Sequence, residues 1–281
     1  MNKTRLDALL VERGYAENLS TAKAIIMSGN VFVGGQKSDK PGLQIDNNAD
    51  IIVREKKKFA SRGGVKLEKA LEYFSVSPKD RICIDCGAST GGFTDCLLKK
   101  GARLVYAVDV GYGLLEWSVR NDPRVMVMER TNVRFLTPGM FEFSPELAVI
   151  DLSFISLEIV LPVVRTILSE GSEVLCLIKP QFEADRADVG KKGVVSDSDI
   201  HTAVLGEFAH NARSSGYCVK GITFSPVKGP QGNIEFLGWL STSGDSEEID
   251  MRGIVAQAHM ELGVSTLRTQ STNRKQENVS P

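Results

Sequence analysis

The chain has 281 residues, more than one average domain needs, and 42% of them are apolar, so a sizeable core can form. A formal net charge of -1 gives no global pull toward nucleic acid or an anionic surface. Five cysteines, an odd number without paired spacing, argue against a disulfide framework, and no stretch reaches the roughly 18 apolar residues of a membrane span.

Residues 1–58 read as a separate small domain. Leu6, Leu9 and Leu10 fall at helical spacing and Gly14 stops that helix. Ser20 can cap a second helix that carries Ala22, Ile25 and Ile26 on one face and ends at Gly29. Val31 to Val33 and Ile51 to Val53 read as short strands, with Gly34-Gly35 and Pro41-Gly42 as turns between them. The start, Met1-Asn-Lys-Thr, has no apolar signal core, so a cytoplasmic protein is expected.

Residues 59–64 read as an exposed basic linker. From Arg54 to Lys69 there are seven basic residues (Arg54, Lys56, Lys57, Lys58, Arg62, Lys66, Lys69) against two acidic ones (Glu55, Glu68). A solvated face and a nucleic-acid contact both fit that run. Phe59, beside three lysines, can stack on a base or pack on the sheet.

Residues 65–243 alternate helix and strand from Arg81 onward, the pattern of a doubly wound, Rossmann-like parallel sheet. Tyr217 to Phe224 and Ile234 to Leu240 close one edge as an antiparallel hairpin. Residues 244–281 read as a tail: Asp245 to Leu262 as a loosely held helix, the polar remainder as disordered.

The first strand of the sheet ends in a glycine-rich loop, Asp85-Cys-Gly-Ala-Ser-Thr-Gly-Gly-Phe93. Gly87, Gly91 and Gly92 let the backbone turn tightly and approach a ligand, with Ala88, Ser89 and Phe93 completing the loop. The spacing fits neither G-x-G-x-x-G nor the phosphate loop that ends in Gly-Lys. Asp85 suits an ammonium group, reached directly or through water. Asp109, at the end of the next strand, suits two ribose hydroxyls. Ammonium plus ribose describes S-adenosylmethionine; a ligand-free turn and a nicotinamide site are the alternatives. Asn132 can reach an adenine edge or be a plain loop residue. Cys83-Ile-Asp-Cys86 matches C-x-x-C only formally, and no metal site is expected.

Four charged residues, Lys66, Asp151, Lys179 and Glu235, lie at or beside apolar strands, where charges are costly unless paired. A structural ion-pair network is one account. Methyl transfer to a hydroxyl is the other, with Lys179 as base, Lys66 as a cation acting on it, and Asp151 and Glu235 orienting both ammonium groups.

Asp85 to Thr94, Asp151-Leu-Ser-Phe154, Ile178-Lys-Pro-Gln-Phe182 and Gly232-Asn-Ile-Glu235 together resemble the TlyA family of rRNA 2'-O-methyltransferases, related to FtsJ and long also labelled haemolysins. The resemblance runs from about Thr4 to Leu240. Arg5-Leu-Asp7, Gly14, Ser20, Ala22 and Ile26 to Val33 are similar to the small α+β RNA-binding domain of a ribosomal small-subunit protein. The resemblance implies S-adenosylmethionine as cofactor, ribosomal RNA or ribosomal subunits as partner, and a Lys-Asp-Lys-Glu tetrad at Lys66, Asp151, Lys179 and Glu235. Ser89-Thr90 stand where the FtsJ loop more often has Ala-Pro. Arg5, Arg54, Lys56, Lys57, Lys58, Arg62, Lys191 and Lys192 are the expected RNA contacts. Gln181 to Val194 reads as a mobile lid over the substrate strand. His201, His210 and His259 read as surface residues, and Trp117 and Trp239 as core or half-buried.

A membrane-acting cytolysin would need an amphipathic segment. Asp245 to Leu262 is the candidate, and Glu247, Glu248, Asp250 and Glu261 make it too acidic for anionic lipid. A catalytically silent RNA-binding or assembly factor would tolerate a broken tetrad, and this one is intact. No obligate protein partner is evident, and with no long apolar seam left over a monomer is expected.

Overall fold

The computed structural model describes residues 3–54 and 58–263, and the chain divides into two compact units between Lys58 and Phe59. The first unit holds β1 (Lys3–Arg5), α1 (Leu6–Glu12), α2 (Leu19–Met27), β2 (Val31–Val33), β3 (Gln36–Ser38), β4 (Gln44–Asp46) and β5 (Ile51–Val53). Its strands form an antiparallel pair, β1–β4, and a three-stranded sheet, β3–β2–β5. Leu6, Leu9 and Leu10 of α1 meet Ala22 and Ile26 of α2 and Val31, Ile45 and Ile51 in one small core. Asn18, not Ser20, caps α2: its side chain accepts the Thr21 N–H at 2.9 Å, and the helix begins at Leu19, which leaves Ser20 inside it.

The second unit holds α3 (Gly63–Tyr73), β6 (Ile82–Cys86), α4 (Gly92–Lys99), β7 (Leu104–Val108), α5 (Trp117–Arg120), β8 (Val125–Met128), β9 (Leu147–Ile150), α6 (Leu157–Ile167), β10 (Glu173–Ile178), α7 (Pro180–Glu183), α8 (Ser198–Ser214), β11 (Cys218–Phe224), β12 (Phe236–Ser241) and α9 (Met251–Gly263). Seven strands make one sheet in the order β11–β12–β10–β9–β6–β7–β8. β12 runs antiparallel to both β10 and β11, and the other pairs are parallel. All residues of β6 and β9 are buried, because helices cover both faces of the sheet and a strand packed on two sides reads as a continuous apolar run. The chain leaves β6 toward β7 and β8 on one side and later returns to β9 and β10 on the other. That switch point opens a crevice at the carboxyl ends of the strands.

Residues 59–64 belong to the second unit rather than forming an exposed linker. Phe59 is buried there with Leu67, Ala70 and Phe93, and a Cβ on Gly64 would lie 2.3 Å from its ring. Phe59 therefore packs and is not free to stack. The tail is not loose up to residue 263. Val255 and Ala258 of α9 are buried against the sheet core, and the Glu247 N–H donates to the Val219 carbonyl at 2.8 Å. The remainder read as disordered, 264–281, lies outside the described residues. His201 is fully buried: its Nδ1 is 2.9 Å from His259 Nε2 and its Nε2 is 3.1 Å from the Val195 carbonyl. Burial pushes the His201 imidazole down to about 4. Trp117 is exposed, since α5 is a single short turn that buries only Val119. Among the described residues, no helix is long and apolar enough to cross a membrane.

Candidate active site

The polar groups at the strand ends converge on the crevice. β9 delivers Asp151, its parallel neighbour β10 delivers Lys179, the approach to β12 delivers Glu235, and the first turn of α3 delivers Lys66. All four line one cavity of about 430 Å³, together with Gly87, Ala88, Ser89, Gly92, Phe93 and Arg62. A second cavity of about 930 Å³ adjoins it, shares Gly87, Ser153, Phe154 and Phe182, and carries Asp109 and Asn132. Volumes of this order suit a nucleoside-sized ligand with a substrate group beside it.

The tetrad is two ion pairs. Lys66 Nζ pairs with Glu235 Oε2, and both side chains are buried. Glu235 is also wedged against backbone: a Cβ on Gly229 would lie 2.5 Å from its Oε1. Lys179 Nζ is ion-paired with Asp151 Oδ1 at 2.6 Å and donates to the Leu152 carbonyl at 2.8 Å and to Ser153 Oγ at 3.1 Å. Each lysine thus has its own carboxylate, and no direct contact carries the expected action of Lys66 on Lys179. The turn after Lys179 is fixed by Glu183, which accepts from Ser156 Oγ at 2.7 Å and from the Leu157 N–H at 3.0 Å. Phe154, exposed and at φ +63°, stands over Phe182 with ring centroids 5.1 Å apart. Thr94, Ser153 and Phe182 were not singled out from sequence; single hydroxyls and aromatics within motifs carry no periodic signal.

The loop glycines are demanded first by the protein itself. A Cβ on Gly87 would meet the Asp151 carbonyl at 2.5 Å, one on Gly91 would meet Leu115 and Val119, and one on Gly92 would meet Ser61. Asp109 holds the loop from the next strand: its Oδ2 accepts the Ser89 N–H at 2.8 Å and its Oδ1 the Gly111 N–H at 2.7 Å. Each carboxylate oxygen keeps a lone pair for a hydroxyl. Asn132 caps a 3-10 turn by accepting the Arg134 N–H at 3.0 Å.

Asp85 lies beneath the loop, fully buried, and lines neither cavity. Thr94 Oγ1 donates to its Oδ2 at 2.6 Å, while its Oδ1 has no partner. Burial pushes the Asp85 carboxyl up to about 7, against the pull of the Thr94 hydroxyl. A buried orphan acceptor is a place for a donor. Gln181 Oε1, on the wall of the tetrad cavity, is another. An ammonium group near the loop and ribose hydroxyls at Asp109 therefore fit the residues present, the ammonium acting on Asp85 through an intervening group.

Lys191 and Lys192 are exposed and line neither cavity. Gln181 to Val194, read as a mobile lid, is tied at both ends: by Glu183 at its start and by Asn233 near its close, where Asn233 Nδ2 donates to the Gly193 carbonyl at 2.8 Å. In the first unit Arg5 forks onto the Asp7 carboxylate at 3.0 and 2.7 Å, and Arg54 lies 4.2 Å over the Phe32 ring. Lys58 is exposed, and Lys56 and Lys57 lie outside the described residues. Cys83 and Cys86 are buried. Burial pushes the Cys83 thiol up to about 12 and the Cys86 thiol higher, which leaves no thiolate for redox or zinc chemistry. Among the described residues no cluster of metal ligands occurs.

Residues 59–242 match the FtsJ-like methyltransferase model, and residues 4–51 match the S4 domain. The chain belongs to the FtsJ-like methyltransferase family. YqxC of Bacillus subtilis is 50% identical over 92% of this chain and 95% of its own. The 16S/23S rRNA (cytidine-2'-O)-methyltransferase TlyA of Mycobacterium tuberculosis is 41% identical over 92% of this chain and 96% of its own. A solved hemolysin-type structure from Streptococcus thermophilus superposes with a TM-score of 0.73 at 46% identity, covering 95% of this chain and 99% of that one. The chain is accordingly a methyltransferase with S-adenosylmethionine as its donor and an S4 RNA-binding domain ahead of the catalytic unit.

Proposed function

We propose that the protein methylates the 2'-hydroxyl of a ribose in ribosomal RNA, with Lys179 as the base. The observation that carries this reading is that the pairs Lys66–Glu235 and Asp151–Lys179 line one cavity with the glycine loop. A ribose hydroxyl is a weak nucleophile at neutral pH, and a base held beside it is what the chemistry lacks in water. Asp151 aims the Lys179 nitrogen. Lys66 and Glu235 line the same cavity and keep the site charge-balanced. Asp109 and Asn132 would hold the nucleoside of S-adenosylmethionine, and the orphan oxygen of Asp85 its amino-acid end. Bound there, the cofactor supplies an electrophilic methyl group on a sulfonium. Displacement at that carbon then depends mainly on alignment, which the two rigid ion pairs support.

The S4 domain and the name of the TlyA relative favour ribosomal RNA as substrate. A 2'-hydroxyl target separates RNA from DNA. Arg62 at the cavity rim, and Arg5, Arg54, Lys58, Lys191 and Lys192 elsewhere, are the proposed phosphate contacts. A ribosomal substrate puts the reaction in the cytoplasm. The test is transfer of labelled methyl from S-adenosylmethionine to isolated ribosomal subunits by the wild type and Lys179→Ala. Label on ribose, reduced at least about a hundredfold in the variant with cofactor binding retained, is the expected result. No transfer by the wild type to either subunit or to free rRNA would leave a silent RNA-binding factor as the better account.

A further inference from the structure

Three oxygen-bearing groups surround the Lys179 nitrogen. Its nitrogen donates to the Leu152 carbonyl at 2.8 Å and to Ser153 Oγ at 3.1 Å, and it is ion-paired with Asp151 Oδ1 at 2.6 Å. The side chain lines the tetrad cavity but is only 9% exposed, so little of it is open to solvent. A carboxylate and a carbonyl can only accept. A neutral lysine has a lone pair that needs a donor, and neither Asp151 nor Leu152 can supply one. Ser153 Oγ lies 3.1 Å from the nitrogen, and a hydroxyl both accepts and donates. Ser153 is exposed and lines both cavities, so its oxygen faces the lysine on one side and the substrate space on the other.

We propose that Ser153 is a catalytic residue that relays the proton from the substrate hydroxyl to Lys179. This rests on the reading of Lys179 as base. In the step, the 2'-O–H bond breaks and a new Oγ–H bond forms on Ser153. The former Ser153 proton moves to the lone pair of Lys179 Nζ. The oxygen's electron pair forms the bond to the methyl carbon as the carbon–sulfur bond breaks, its pair going to sulfur. Lys179 ends as an ammonium beside the Asp151 carboxylate, the Leu152 carbonyl and Ser153 Oγ. It returns its extra proton to solvent before the next turnover.

The test compares Ser153→Thr with Ser153→Val, which share a shape and differ by the hydroxyl. Single-turnover methyl transfer to isolated ribosomal subunits is measured beside the wild type and Lys179→Ala, with S-adenosylhomocysteine affinity taken by calorimetry. Thr should stay within about threefold of the wild type and Val should fall about tenfold or more, with unchanged affinity for S-adenosylhomocysteine. Equal rates for Thr and Val would overturn the relay and let the substrate reach Lys179 directly. The wild-type rate against deuterium oxide fraction decides independently of either variant. Two protons in flight give a curved dependence, and a straight line overturns the relay even if both variants fall together. A wild type that transfers methyl and a Lys179→Ala that does not, beside a straight line, sink the relay alone. A wild type with no transfer sinks the function and the relay together.

Discussion

Lys66 and Glu235 lie 169 residues apart in the chain and form one buried ion pair on the cavity wall. Removing either partner leaves a largely buried charge without its counterpart. Lys66→Met or Glu235→Leu alone should therefore lower the unfolding free energy by about 3 kcal/mol, and the double variant should regain most of that loss. Methyl transfer should stay lost in all three. Chemical denaturation and transfer assays on the same samples separate stability from chemistry. A double variant that is stable and fully active would reduce the pair to a structural tie.

What sequence carried follows from burial. β6 and β9 are covered on both faces, so each reads as an apolar run, and Asp151 and Lys179 stand out as charges where such runs stop. Both helices of the first unit were legible from Leu6, Leu9, Leu10, Ala22 and Ile26, and two of its five strands from Val31 to Val33 and Ile51 to Val53, for the same reason. The pairing within the tetrad was not legible, because the partner of Lys66 is fixed by where β12 lands in the sheet and not by spacing. His201 read as a surface residue because its partner, His259, comes from a helix that buries only Val255 and Ala258, too few apolar positions to signal docking. Phe59 sat among lysines and looked exposed; its burial depends on Gly64 leaving room for the ring.

Gly87 joins the loop to the tetrad. It has φ +95°, and a Cβ there would lie 2.5 Å from the Asp151 carbonyl. The backbone just before that carbonyl is tied to the loop strand, where the Asp151 N–H donates to the Cys86 carbonyl at 3.0 Å. Gly113, at φ +69° with nothing within 4 Å of its Cβ position, has the strain without the clash. Gly113→Ala should cost about 1 kcal/mol and leave transfer intact, whereas Gly87→Ala should cost about 2–3 kcal/mol and depress transfer. Equal thermal shifts for the two variants would contradict this assignment.

Asp85 should make the protein without cofactor less stable as pH rises. Its folded value is raised to about 7 from 3.8, so the folded state holds a proton that the unfolded chain has already released. Stability from this group is present at low pH and is lost between about pH 4 and 7. Asp85→Asn keeps an acceptor for Thr94 and cannot ionise. Its stability advantage over the wild type should widen across that window by an amount on the order of a few kcal/mol, then level off. S-adenosylhomocysteine, which carries the ammonium group, should shrink the difference. An advantage that stays flat from pH 4 to 8 in thermal melts would remove Asp85 as the titrating group.

Lys191 and Lys192 are held close to the chemistry by backbone rather than by their own contacts. The Gly190 N–H donates to the Val194 carbonyl at 3.1 Å, and Asn233 Oδ1 accepts the Val195 N–H at 2.9 Å. Asn233 stands two residues before Glu235, so the loop that presents the lysines is stapled to the segment that completes the tetrad. Exposed cations placed this way act on RNA through phosphates, and each phosphate contact adds to the salt dependence of binding. Neutralising both, as Lys191→Gln with Lys192→Gln, should flatten the slope of log affinity against log salt by about 1.5 to 2 and weaken RNA binding without changing cofactor affinity. Because the staple is backbone and Asn233, stability should not move. A slope equal to that of the wild type would take the two lysines off the RNA path and leave Arg62, at the cavity rim, as the nearest proposed phosphate contact.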